Sequence, residues 1–117
     1  MVIRRLYIFD QVNLQVIIDF DEEEKPTLVL DWDENVSKMA LLISTKASRL
    51  SEKAGKPIFR YKKDMAVMTG KYTLIAIIEN EEREKIKRVL YRIYKDLLEK
   101  LPITSEEIGN IAIKNLL

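Results

Sequence analysis

The chain has 117 residues, of which 33% are charged and 47% hydrophobic, carries a formal net charge of +1, and contains neither Cys nor His. This length is typical of one domain, and the missing residues exclude disulfides, thiolate or imidazole metal sites, and catalysis by a Cys or His nucleophile. The longest apolar runs are far shorter than the roughly 20 residues of a membrane-spanning helix, and the first residues lead into no apolar signal region. We therefore expect a cytoplasmic protein. Lys, Glu and Ile are abundant (13, 12 and 15) whereas Gln occurs twice, a bias typical of hyperthermophiles.

The first 35 residues predict a β-hairpin followed by an acidic connection. Residues 3–10 form the first strand, residues 11–13 supply turn-forming side chains, and residues 14–20 alternate between apolar and polar side chains as a half-buried strand does. Residues 21–35 contain seven carboxylates and are interpreted as a loop insertion. Residues 27–30 could form a short extra strand, and this alternative stays open.

The middle of the chain predicts one helix and then three strands. Apolar residues recur three or four apart over residues 36–54, which is the stripe of an amphipathic helix. Gly55 and Pro57 are typical of the end of such a helix. The last of the three strands is almost wholly apolar, which indicates a central position in the sheet. These strands are predicted at residues 58–61, 65–69 and 72–78.

The last third of the chain predicts two helices. Asn80 is the expected N-cap of a long amphipathic helix, and Glu84 and Arg88 have the i,i+4 spacing of a favourable ion pair. Pro102 ends this helix. Residues 104–107 have the sequence Thr-Ser-Glu-Glu of a capping box, which opens a short final helix.

Together these elements predict an α+β fold in the order β-β-α-β-β-β-α-α. In this arrangement a five-stranded antiparallel sheet carries helices on both faces. We expect a single domain over residues 1–117, with residues 21–35 as its acidic loop insertion.

This order resembles the longin fold, which belongs to the longin/profilin-like architectures. The strand Leu6-Tyr7-Ile8-Phe9-Asp10 is similar to the apolar-aromatic strand with which longin domains begin. Phe59-Arg60-Tyr61-Lys62 precedes Met65-Ala66-Val67-Met68, where the family also places an aromatic-basic strand before an apolar one. Tyr72-Thr73-Leu74-Ile75-Ala76-Ile77 is similar to the last strand before the family's long helix.

The resemblance covers residues 3–101 and departs from the family pattern at the acidic insertion. Longin-like domains are mostly non-catalytic platforms in trafficking complexes and in regulators of small Ras-like GTPases, and they often dimerise. The resemblance therefore implies a protein-interaction module, a scaffold or regulatory subunit that dimerises or binds such a GTPase, with no catalytic residue and no cofactor.

The distribution of charge along the chain leaves a nucleic-acid-binding protein as the alternative. Residues 1–35 hold 9 acidic and 3 basic side chains, whereas residues 36–117 hold 10 acidic and 17 basic ones. The basic side chains cluster at residues 46–63 and 83–92, on the two long predicted helices and near them, and such clusters could bind phosphates. A pI near 7.9 is low for a dedicated nucleic-acid binder, so we favour the solvated faces of two amphipathic helices over a surface that binds nucleic acid.

Acidic side chains near the start of the chain are the other candidate site. Carboxylate oxygens are the ligands that Ca²⁺ and Mg²⁺ prefer, but the sequence lacks a spaced Asp-x-Asp-x-Asp-Gly loop, so a solvated loop is favoured and no metal is assigned. The acidic set consists of Asp19, Asp21, Glu22, Glu23, Glu24, Asp31, Asp33 and Glu34.

Six residues are the candidates for partner binding. The only Trp stands between two Asp residues, where it would anchor an interface or, as we favour, pin its loop to the core. Two tyrosines three residues apart lie beside the apolar stripe of the long helix, where they would lie under the final helix or mark a dimer face. The remaining three lie in the basic stretch. These candidates are Trp32, Arg49, Arg60, Tyr61, Tyr91 and Tyr94.

Overall fold

A computed structural model of the chain describes residues 3–10, 14–23, 25–29, 56–62, 64–79 and 82–116. Within these ranges six strands precede two helices. The strands are β1 (Ile3–Asp10), β2 (Gln15–Phe20), β3 (Pro26–Val29), β4 (Ile58–Lys62), β5 (Met65–Thr69) and β6 (Tyr72–Ile78). The helices are α1 (Arg83–Lys100) and α2 (Ser105–Leu116). The helix predicted over residues 36–54 lies outside the described residues.

The antiparallel α+β class is confirmed, but two details of the prediction are wrong. The sheet has six strands instead of five, and the order of the described elements therefore differs from the predicted one. The extra strand is β3, within the supposed acidic loop, where Ile18 pairs with Leu28 and Asp19 with Thr27. The turn before it is held by Asp21, whose Oδ1 accepts hydrogen bonds from the backbone N–H groups of Glu23 and Lys25 at 2.9 and 2.8 Å.

The strands lie in the order β3-β2-β1-β6-β5-β4, and each neighbouring pair is antiparallel. The pair β1 and β6 is central, which confirms the prediction for the strand at residues 72–78. Because successive side chains of a strand point to opposite faces, the alternating residues of these strands form two apolar layers, one on each face of the sheet.

The larger core lies on the face that both described helices cover. The stripe of α1 packs over β5 and β6, and α2 packs on β2 and β3. This core contains Leu6, Ile8, Val16, Ile18, Ala66, Met68, Leu74, Ala76, Ile86, Val89, Leu90, Ile93, Leu97, Ile108 and Ala112, among others. The two helices are therefore placed side by side over opposite halves of one sheet face.

The second face carries a smaller apolar cluster formed by Tyr7, Phe9, Ile17, Val67 and Ile75. Neither α1 nor α2 contributes a residue to it. The described helices cover one face of the sheet, and the described residues do not test the prediction that helices cover both faces.

Only the N-terminal end of α1 differs from the prediction. The helix begins at Arg83, and its N-cap position is Glu82, whose side chain makes no capping hydrogen bond. The predicted cap, Asn80, lies outside the described residues. At the other end α1 stops two residues before Pro102 as expected, because proline lacks the N–H that a continuing helix needs.

Candidate interaction site

The six predicted partner-binding residues are not brought together. Trp32 and Arg49 lie outside the described residues. Arg60 is exposed on β4 and shares the second face of the sheet with its strand partner Val67. Tyr61 is half-buried and packs against the larger core on the opposite face, the one that the helices cover.

The two tyrosines of α1 have different surroundings. Tyr91 is 45% exposed. Tyr94 is only 5% exposed, and its hydroxyl accepts a hydrogen bond of 3.0 Å from the backbone N–H of Lys71. The structure therefore places Tyr94 in the core, because the β5–β6 turn at Gly70 packs on its ring and donates a hydrogen bond to its hydroxyl.

The connection between the helices exposes two large aliphatic side chains that the sequence interpretation missed. Leu101 is 71% exposed and Ile103 79% exposed, whereas Pro102 between them is buried. Among the described residues, the one other exposed large apolar side chain is Tyr91, which is less exposed than either of them. We call Leu101 and Ile103 the apolar ridge. The signal for them in the sequence is a pair of aliphatic residues on either side of Pro102, the proline at which the predicted long helix ends.

The backbone at Leu101 has the left-handed helical conformation, with φ 48° and ψ 61°, and its N–H donates to the carbonyl oxygen of Leu97 at 3.1 Å. This is the position at which helices commonly place glycine, because a Cβ is strained there. Leucine at this position costs about 1 kcal/mol relative to glycine, and its exposed side chain regains little of that by burial within this chain. The chain therefore keeps a strained leucine with its apolar side chain in solvent.

Hydrogen bonds hold the apolar ridge in place. Thr104 Oγ1 accepts from the N–H of Glu107 at 3.1 Å, and the Glu107 carboxylate accepts from the N–H of Ile103 at 2.8 Å. These bonds confirm the predicted capping box, with its return bond made one residue earlier than usual. Ser105 Oγ accepts from the N–H of Gln15 at 3.2 Å, which ties the start of α2 to β2. The ridge is thus presented on an ordered connection.

The segment of chain that contains the ridge carries mostly negative charge. The segment 96–107 contains four carboxylates and one ammonium group. Asn115 donates a hydrogen bond of 2.8 Å to Asp96, and this bond, together with the nearby charge of Lys100, lowers the pKa of the Asp96 carboxyl. Asp96 is therefore ionised at neutral pH. We call the carboxylates Asp96, Glu99, Glu106 and Glu107 the acidic rim.

A second surface lies on the exposed side of α1. Four basic side chains surround Tyr91 there, and the ammonium group of Lys95 lies 5.8 Å from the centre of the Tyr91 ring. The predicted pair Glu84–Arg88 is wrong, since Glu84 instead accepts a hydrogen bond from Arg83. We call this surface, formed by Lys87, Arg88, Tyr91, Arg92 and Lys95, the basic face.

The basic face is incompletely neutralised. Within the described part of the chain neither Arg88 nor Arg92 has an ion-pair partner. Lys87 and Arg83 instead lie over the ring of Phe59 on β4, 5.8 and 5.4 Å from its centre. The arrangement can therefore receive anionic groups around an exposed aromatic ring.

Three of the acidic side chains near the start of the chain serve local structure, whereas Glu24, Asp31, Asp33 and Glu34 lie outside the described residues. Arg5 binds Asp19 across the β1–β2 pair, Asp21 holds its own turn, and Glu23 pairs with Lys25 at 3.2 Å. In the ranges that the structure covers, no three acidic side chains come together as candidate metal ligands. In the same ranges no helix is long and apolar enough to cross a membrane.

Comparison with known proteins adds nothing to this geometry. No family model matches the chain, and neither the curated proteins nor the solved structures contain a significant match.

Proposed function

We propose that this chain is a longin-like, non-enzymatic protein-interaction module of the cytoplasm. It would serve as a scaffold or regulatory subunit that dimerises, binds a small Ras-like GTPase or other trafficking-type partner, or does both. No catalytic residue and no cofactor are part of this proposal.

The observation that carries the proposal is the apolar ridge. Leu101 is kept in a conformation that favours glycine, and both ridge side chains are more than two-thirds exposed. Backbone strain of this kind persists where the surrounding structure enforces it, and it is concentrated at functional positions. An exposed apolar pair gains free energy when a partner removes it from water. A protein partner that buries the ridge supplies that gain.

The sheet topology supports the longin-like part of the proposal. The hairpin of β1 and β2 lies beside the meander of β4, β5 and β6, with β1 next to β6, and the long helix α1 follows β6 directly. A hairpin followed by a three-strand meander and a long helix is the order along the chain on which the resemblance is based, and β3 is an addition to it at one edge. A helix over residues 36–54, as the sequence predicts, would complete the arrangement by covering the second face.

The basic face favours one alternative, a nucleic-acid-binding protein. Arg88 and Arg92 are the side chains that would contact phosphates. Against this alternative, the whole chain carries a net charge of only +1, and the acidic rim would repel a nucleic acid that extended beyond the middle of α1. A salt titration of binding to labelled single-stranded and duplex DNA tests it, because phosphate contacts weaken steeply with salt.

The proposal is tested with the double variant Leu101→Gly, Ile103→Ser, which removes the ridge and relieves the strained backbone. The wild-type chain, this variant and the control Asn110→Ser, an exposed change on α2, are immobilised and exposed to cell extract supplemented with GDP or a non-hydrolysable GTP analogue. Their oligomeric states are measured in parallel by sedimentation. We expect the wild type and the control to share bound proteins or self-association that the ridge variant loses. Equal behaviour of all three chains would refute the proposed role of the ridge.

A further inference from the structure

We propose that the partner of the apolar ridge is a second copy of this chain, which receives the ridge on its basic face. The contact would join the α1–α2 connection of one copy to the exposed side of α1 in the next. This inference rests on the proposed function, since it names the partner of the same ridge.

Charge complementarity between the two surfaces is the first argument. Residues 83–95 contain six basic side chains and one acidic side chain, whereas residues 96–107 contain four acidic side chains and one basic side chain. The basic face and the acidic rim thus have opposite charges and lie next to each other along the chain. Opposite potentials of this kind steer association and fix its register.

The two arginines of the basic face are the second argument. Arg88 and Arg92 are exposed and lack an ion-pair partner in the described ranges. Because no ion pair within the described part of the chain neutralises these two charges, an external anionic surface would compensate them.

The apolar part of the contact is the third argument. Tyr91 is the exposed aromatic side chain at the centre of the basic face, and Leu101 and Ile103 are the exposed aliphatic side chains within the acidic rim. A tyrosine ring presents a large apolar surface at low conformational cost, which suits it to an interface centre. In the proposed contact the ridge packs on the Tyr91 ring, while Glu99 and Glu106 approach the two unpaired arginines.

The contact joins two different surfaces of the chain. Tyr91 and Leu101 are ten residues apart along α1, which corresponds to about 15 Å of helix at a rise of 1.5 Å per residue. The ridge therefore cannot reach the basic face of its own chain and has to bind that of another copy. Two copies that each receive the ridge of the other close a twofold dimer, whereas head-to-tail contacts produce a ring or an open chain.

The test mixes two variants that each lack one surface. The ridge variant Leu101→Gly, Ile103→Ser keeps the basic face, and the face variant Arg88→Glu, Arg92→Glu keeps the ridge. We expect the wild type to form dimers or larger oligomers as its concentration rises, and each variant alone to associate at least about tenfold more weakly. An equimolar mixture of the two variants should form a heterodimer and no larger species. Sedimentation velocity measures all three states.

A charge-reversal rescue distinguishes loss of charge complementarity from unfolding of the face variant. The substitutions Glu99→Arg and Glu106→Arg, added to the face variant, restore opposite charges and should restore association. The whole series is measured at about 0.05 and about 0.5 M salt, since screening weakens contacts between exposed charges.

Three results would overturn the inference. A wild type that stays monomeric at about millimolar concentration excludes a second copy, while the proposed function survives if the ridge still captures another protein. Dimers lost in the ridge variant but unchanged in the face variant would show ridge-to-ridge contact. Tight, salt-sensitive binding of labelled DNA that only the face variant loses would assign the basic face to nucleic acid.

Discussion

A Cβ atom at Gly109 of α2 would lie 2.2 Å from Cδ2 of Leu28 on β3. The helix and the added edge strand approach each other this closely only because residue 109 has no side chain. This contact packs β3 directly against α2. Leu28 lies against the larger core, on the face of the sheet that the helices cover.

Gly109→Ala is therefore expected to destabilise the chain, although alanine is the better helix former by about 1 kcal/mol. Leu28 has to leave its rotamer or α2 has to move outward, and overpacking of this kind costs about 1–3 kcal/mol. We expect a net loss of about 1 kcal/mol in the free energy of unfolding, measured with urea. In a Leu28→Ala background the same change should instead be stabilising, because the methyl group then has room. Destabilisation of equal size in both backgrounds would contradict the contact.

Tyr94→Phe tests the hydrogen bond that attaches the β5–β6 turn to α1. The phenol accepts the N–H of Lys71, so its removal leaves that backbone donor without this acceptor, and we expect a loss of about 1 kcal/mol in unfolding free energy. Tyr91→Phe on the same helix is the matched control and should change stability by no more than about 0.5 kcal/mol, since its ring is on the surface. Equal effects of the two changes would contradict the hydrogen bond between Tyr94 and the Lys71 backbone.

Leu101→Gly is expected to stabilise the chain by about 1 kcal/mol, because glycine adopts a positive φ without strain. Leu101→Ala keeps the strained Cβ and serves as the control, which should gain nothing. Thermal or urea unfolding measures both. A destabilised glycine variant would mean that the leucine side chain is held by contacts that compensate the strain.

Stability at alkaline pH is expected to depend on Tyr72. Burial, followed by the nearby charges of Asp10 and Tyr94, raises the pKa of the Tyr72 phenol above its ordinary value of 10.0. A folded-state pKa above that of the unfolded chain means that the unfolded state releases its proton first. The contribution of Tyr72 is thus complete below about pH 10 and is lost as the pH rises through the folded-state pKa. Urea unfolding between about pH 8 and pH 11 should show a smaller alkaline loss in Tyr72→Phe than in the wild type.

The control for the alkaline experiment is Tyr91→Phe, which removes an exposed phenol and should leave the pH dependence of the wild type unchanged. If Tyr72→Phe also lost stability in parallel with the wild type, the alkaline transition would have to arise elsewhere in the chain.

The sequence by itself determined the elements whose signal lies in neighbouring residues. Apolar and aromatic side chains predicted β1, alternation predicted β2, the continuous apolar run predicted a central β6, and the spacing of Thr104 and Glu107 predicted the capping box that begins α2. Each of these signals needs only a few consecutive residues, because strand alternation, helix periodicity and capping are local properties of the backbone.

Only the tertiary structure decided the features that depend on distant residues. Four residues of β3 among many carboxylates become a strand because β2 and α2 offer them partners. Tyr94 is buried and Tyr91 exposed although both flank the same stripe, because the β5–β6 turn covers only one of them. The apolar ridge is exposed for the same reason, since whether a side chain leaves water depends on what the rest of the chain places over it.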